Sequence, residues 1–103
     1  YYTASETTIA TIPIGYGDGY MRALTGKAEC LIRGKRYPIV GTICMDECMV
    51  DLGNDDIRCG EEVILIGRQG AESITAGHLA GKCGTIPYEI LTAISARVPR
   101  VYY

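Results

Sequence analysis

The stretch "AECLIRGKRYPIVG" (28–41) sets the tightest limit on what this chain can become. Two short β-patterned runs flank Arg33-Gly34-Lys35, and that arrangement reads as a hairpin. Strand-grade segments surround it. "ETTIATIPI" (6–14) is rich in Thr and Ile, whose branched side chains suit a pleated strand. "TICMDECMVDLG" (42–53) alternates: Ile43, Met45, Glu47 and Met49 fall on one face, and Cys44, Asp46, Cys48, Val50 and Leu52 largely on the other. "EEVILIG" (61–67) reads as a buried strand after the loop "GNDDIRCG". Pro38 cannot donate to a ladder, so its strand is expected at an edge or a bulge.

Two short helices follow. Thr75 is a suitable N-cap for the first, Ile74 can staple onto Leu79, and Gly84 supplies the stop. The second is expected from Ile86 to Ala96. Pro87 sits in its first turn, where the missing N–H costs nothing, and Ile90, Leu91 and Ile94 form its apolar stripe. "RVYY" closes the chain as a short strand. Strands, then helices, then a strand predict a mainly β, small barrel-like domain with two short helices, one domain over 1–103.

Composition narrows the function classes. A chain of 103 residues can bury only a modest core. A net charge of −2 without any run of Lys or Arg speaks against nucleic acid and against an anionic membrane surface. Uninterrupted apolar stretches reach about four residues, far short of a membrane span. No signal-peptide pattern opens the sequence, so a cytoplasmic protein is expected. Five cysteines at irregular spacing, with no C-x-x-C and a single His78, fit free thiols in a reducing compartment better than disulfides or a metal site. Eight tyrosines accompany no Phe and no Trp. Tyr wants a partner for its hydroxyl, which places some of these rings at a boundary, cleft or interface.

Three constellations could carry chemistry. "IGYGDGYMR" (14–22) sets Tyr16 and Tyr20 among glycines, where the rings can stand out from the surface. "GTIPYE" (84–89) puts Tyr88 in the first turn of a helix, whose unpaired N–H groups attract anions. The alternative for Tyr88 is a packed ring with its hydroxyl in water. "CMDECM" (44–49) allows either a metal on Cys44, Asp46 and Cys48 or core cysteines beside a strand-edge aspartate. Asp46 could also accept from amides of the 15–19 segment. Arg22 is either a partner for a carboxylate or a surface cation. His78 is expected in solvent, and Lys27, Lys35 and Lys82 sit in turns or on helix surfaces rather than in a desolvated pocket. "IGRQG" (66–70) lacks the glycine spacing of a dinucleotide fingerprint. No residue here reads as a self-sufficient catalyst.

Taken together, "TIPIGYGDGYMR", "IVGTICMDECMVDLG", "VILIGRQG" and "TIPYEILTAISARVPRVYY" resemble, in order and spacing, the C-terminal domain of alanine racemases. The resemblance implies a pyridoxal-phosphate enzyme that interconverts L- and D-alanine for peptidoglycan. It implies a homodimer in which an N-terminal (β/α)8 barrel carries the cofactor on a lysine. This domain would complete the active site of the partner subunit. On that likeness Tyr16, Arg22 and Ile86 belong to the substrate entrance. Met45 borders the substrate, with its amide near the carboxylate and Asp46 beside it, and Tyr88 approaches the cofactor phosphate. The cofactor lysine and the tyrosine base of the family's "S-Y-G" segment have no match here. Residues 1 and 2 are therefore expected a little beyond that tyrosine, in a fragment that is inactive by itself. Where the family often carries arginine, this sequence has Thr42. Some members of a related branch, the membrane-bound serine racemases of vancomycin resistance, replace the cofactor-side tyrosine with a smaller polar residue, so on that likeness Tyr88 points to alanine. A non-catalytic β module for dimerisation is the other alternative.

Overall fold

The structure is a computed structural model that describes residues 6–101. Among these residues seven strands, two 3-10 turns and two α-helices follow one another. The strands are β1 (Thr8–Ile12), β2 (Glu29–Ile32), β3 (Lys35–Val40), β4 (Cys48–Gly53), β5 (Val63–Ile64), β6 (Gly67–Gln69) and β7 (Glu72–Ile74). The 3-10 turns span Tyr16–Asp18 and Arg22–Leu24, and the helices are α1 (Ala76–Cys83) and α2 (Pro87–Thr92). Five strands form an antiparallel sheet in the order β1-β4-β3-β2-β5, curled into a half-barrel, and β6 and β7 make a separate hairpin.

The 28–41 hairpin forms as its pattern requires. Ile32 pairs with Lys35 across the turn, and Arg33 and Gly34 take φ values of 53° and 74°. Positive φ at both central residues matches the right-handed twist of the flanking strands. The Gly34 N–H donates to Gln69 Oε1 at 2.8 Å, tying this turn to the β6–β7 hairpin. Pro38 does not put β3 at an edge, because β3 lies between β4 and β2. It is accommodated because the β3–β4 ladder begins only at Ile39, opposite Val50.

Four expectations are corrected. The strand over 42–53 begins only at Cys48, since 42–47 is a loop closed by a Cys44 N–H bond to the Glu47 carbonyl at 2.9 Å. Within the true strand the alternation holds: Cys48, Val50 and Leu52 are buried and Met49 is exposed. The 61–67 run is broken between β5 and the β6–β7 hairpin, which the polar segment "RQGAES" did not announce. The second helix stops at Thr92, four residues short of Ala96. Of the closing strand, Arg100 and Val101 are not in β structure, and 102–103, like residues 1 and 2, lie outside the described residues.

The first helix follows its signals. Thr75 Oγ1 accepts from the His78 N–H at 3.0 Å, Ile74 and Leu79 are both buried, and Gly84 ends the helix at φ 71°. The core joins Leu31, Ile32, Cys30, Ile39, Cys48, Val50 and Leu52 of the sheet to Leu24, Ile43, Leu79 and Ile90. Burial pushes the Cys30 thiol up to about 12 and the Cys48 thiol to about 11. Among the described residues no helix is long and apolar enough to cross a membrane.

Candidate functional site

Leaving β1, the chain turns through the glycine-rich segment and docks it, backbone to backbone, on the 42–47 loop. The Tyr16 N–H donates to the Cys44 carbonyl at 2.9 Å and the Gly17 N–H to the Met45 carbonyl at 2.8 Å. Contact this close explains the glycines. A Cβ on Gly15 would meet the Met45 carbonyl carbon at 2.7 Å, and one on Gly19, which has φ 109°, would meet the Ile94 Cα at 2.6 Å. Asp18 organises the turn from within, its Oδ2 accepting from the Gly15 N–H at 3.0 Å.

Tyr16 and Tyr20 then part company. Tyr16 is 46% exposed, whereas Tyr20 packs into the core with its hydroxyl buried. Burial first, and then the neighbouring thiols Cys48, Cys30 and Cys83, hold the Tyr20 phenol well above its ordinary range. The ring that stands out is Tyr16. Met45 is exposed beside it, and the Met45 N–H donates to no described residue while both carbonyls flanking it are taken.

Asp46 does not reach the 15–19 amides; Asp18 does that. Asp46 instead pairs with Arg97, whose Nε also lies 3.3 Å from Asp18 Oδ1. Those bonds raise the Arg97 pKa, Asp46 first, and keep the guanidinium charged. Sequence reasoning passed over Arg97 and Asp18, since nothing local in "SARVPR" says that two distant acids meet there. Ser95 strengthens the junction: its N–H donates to the Asp18 carbonyl and its Oγ to the Gly17 carbonyl, each at 3.0 Å. A cation held by Cys44, Asp46 and Cys48 is not supported, because Cys48 is buried while Cys44 and Asp46 face solvent.

Ile86 and Tyr88 lie at the start of α2, the first as N-cap and the second in the first turn, 57% and 74% exposed. The six residues of α2, about 9 Å of rise, lead from Ile86 to Ala93 and Ile94, which abut Gly19, and Tyr88 lies in the first turn of that helix. The Tyr88 hydroxyl bonds to no other described residue, while Thr85 Oγ1 donates to Glu89 in the same turn. Arg22 is exposed on the 3-10 turn Arg22–Leu24, with no ion-pair partner among the described residues. Thr42 and His78 are exposed as well. The structure therefore joins the turns of Tyr16, Met45 and Asp46 directly, and Ile86 and Tyr88 to them through α2, and it brings Arg22, on the next 3-10 turn in the chain, into no side-chain bond with any of them.

Comparison with known proteins gives a consistent result. A family model described as "Alanine racemase, C-terminal domain" matches residues 1–102. The alanine racemase of Symbiobacterium thermophilum is 55% identical over 103 residues, covering 99% of this chain and 27% of the relative. That of Thermodesulfovibrio yellowstonii is 50% identical, covering 99% of this chain and 28% of the relative. The crystal structure of alanine racemase from Bacillus anthracis with bound L-Ala-P superposes with a TM-score of 0.94 at 50% identity, over 100% of this chain and 26% of that one. The chain thus spans little more than a quarter of the length of these relatives.

Proposed function

The chain belongs to the alanine racemase C-terminal domain family, and from that premise we propose that it walls the active site of a pyridoxal-phosphate isomerase interconverting L- and D-alanine for peptidoglycan. In this reading the domain acts on the site of the partner subunit in a cytoplasmic homodimer, and proton transfer belongs to residues elsewhere. The observation that carries it is the Met45 turn. An N–H with no described partner, on an exposed methionine whose turn is bonded to that of the exposed Tyr16, would offer a carboxylate a donor and the small alanine side chain an apolar wall.

Tyr88 would hold the cofactor's phosphate through its hydroxyl, which has no competing described partner. Ile86 would close the wall against water, and Arg22, with no acid partner among the described residues, would draw the anionic substrate toward the entrance. The lysines fit a supporting role only: Lys35 is held by Asp55 at 2.7 Å, Lys82 donates to the Lys27 carbonyl, and Lys27 is exposed. Pyridoxal phosphate, when bound, would supply the electron sink that lets the Cα proton leave. Tyr88 also supports alanine over serine, because it fills the place where the serine branch carries a smaller side chain.

Borohydride reduction of the native polypeptide that carries this sequence, followed by intact mass and peptide mapping, tests the proposal. Pyridoxyl-lysine outside residues 1–103, together with racemisation of alanine faster than serine, is the expected result. An unlabelled polypeptide without racemase activity would leave a binding or dimerisation module in its place.

A further inference from the structure

We propose that Arg97 is a positioning residue of the substrate wall: by holding Asp18 and Asp46 at once, its guanidinium fixes the Tyr16 turn against the Met45 turn in the geometry that receives an amino-acid carboxylate. The inference rests on the functional reading above and adds to it a residue outside the wall itself.

Three segments far apart in sequence meet here. Asp18 is well shielded, its side chain 12% exposed, and both of its oxygens are used, Oδ2 by the Gly15 N–H and Oδ1 by Arg97 Nε. Asp46 is 67% exposed and bonds Arg97 Nη2, which shares one edge of the guanidinium with Nε. Gly17 clears the path, because any Cβ there would overlap the Arg97 guanidinium. The Arg97 backbone N–H in turn reaches Ser95 Oγ at 3.3 Å, the same hydroxyl that donates to the Gly17 carbonyl.

Besides this junction, the Tyr16 and Met45 turns are joined by two backbone hydrogen bonds near solvent. Exposed ion pairs contribute little to global stability. Their effect here falls on position, and a small displacement at a binding wall is costly to substrate handling. Arginine suits the task, since a planar fork can bridge two carboxylates where a lysine ammonium serves as a point charge.

The test uses the full-length racemase that carries this domain, comparing wild type with Arg97→Gln, Arg97→Lys and Asp46→Asn. In Arg97→Gln the KM for alanine should rise about tenfold with kcat held within about threefold, the signature of lost substrate binding rather than lost chemistry. Hydrogen exchange, read by mass spectrometry, should quicken about tenfold in peptides covering 15–20 and stay unchanged in β4. Arg97→Lys should recover part of both effects, and Asp46→Asn, milder in its effect on folding, should reproduce both on a smaller scale. A wild-type KM in Arg97→Gln, or a raised KM without faster exchange at 15–20, overturns the proposal. A wild-type enzyme that does not racemise alanine overturns the functional reading instead, and the exchange comparison still decides whether Arg97 holds the two turns.

Discussion

The hydroxyl of Tyr20 lies in the core with no hydrogen-bond partner among the described residues. A buried polar group left in that state costs about 1–3 kcal/mol. Tyr20→Phe removes the group and keeps the ring, so the variant should gain about 1 kcal/mol in denaturant unfolding; a loss of that size would mean the hydroxyl has a partner. Tyr88 is the opposite case, a ring whose hydroxyl is open to solvent and free to donate. A hydrogen bond to a charged oxygen contributes about 1.5–3 kcal/mol. Tyr88→Phe in the full-length enzyme should therefore weaken cofactor affinity by about tenfold or more, measured by titrating the apoenzyme and following cofactor absorbance. Unchanged affinity together with unchanged alanine-over-serine preference would remove Tyr88 from the phosphate contact. Both residues are tyrosines in unusual sequence settings, and it was their burial, not their neighbours in sequence, that separated a core ring from an exposed one.

At the scale of elements, β2 and β4 share a titratable core. Burial lifts Cys30 to about 12 and Cys48 to about 11, while an unfolded thiol ionises near pH ~8.5. Above pH ~8.5 the unfolded chain sheds protons that the folded chain keeps, so the stability these thiols contribute is complete below that pH. It drains away as the pH rises through the folded values. Melting temperature should fall between pH ~8.5 and 10.5, and Cys48→Ala should flatten that slope whatever it costs in packing. A slope that Cys48→Ala leaves unaltered would show the thiols uninvolved. The same strands show what the sequence could disclose. Cys48, Val50 and Leu52 alternate because one face is buried, and Thr75 and Gly84 bound α1 because capping is local chemistry. Residues 42–47 carry a similar alternation, yet the Cys44 and Met45 carbonyls are taken by Tyr16 and Gly17 from a distant turn. Sequence period cannot register such a partner. The β6–β7 hairpin escaped notice for a different reason: "RQGAES" lacks branched and aromatic residues, and its pairing follows from a turn at Gly70, with φ 62°. Of the proposed site, Tyr16 and Tyr88 stood out by their settings, in a glycine-rich segment and in a helix's first turn, whereas Met45 and Ile86 were legible only through family likeness, and Arg97 not at all.

Viewed whole, the molecule leaves several large apolar side chains in solvent, among them Tyr16, Met45, Ile86, Tyr88 and Leu91. Single exposed apolar residues are ordinary, but here they lie on segments that the Gly19–Ile94 contact and the Tyr16–Cys44 bond tie together. A surface of that kind is suited to closing over another body, and the proposed arrangement names it: the barrel of the partner subunit. Hybrid dimers can decide whether the closure is made across subunits. One variant carries Tyr16→Ala with Met45→Ala and an intact barrel; the other has an intact C-terminal domain and an arginine in place of the cofactor lysine. Each homodimer should be nearly inactive. In a hybrid, the intact barrel of the first faces the intact domain of the second, giving one complete site of two. Random reassortment makes about half the dimers hybrids, so mixing should restore about a quarter of wild-type activity. Sites completed within one subunit would gain nothing from mixing, because no subunit in the mixture holds both intact halves. Native mass spectrometry of the mixture confirms that hybrids have formed, and an inactive but fully reassorted mixture would rule out closure across subunits.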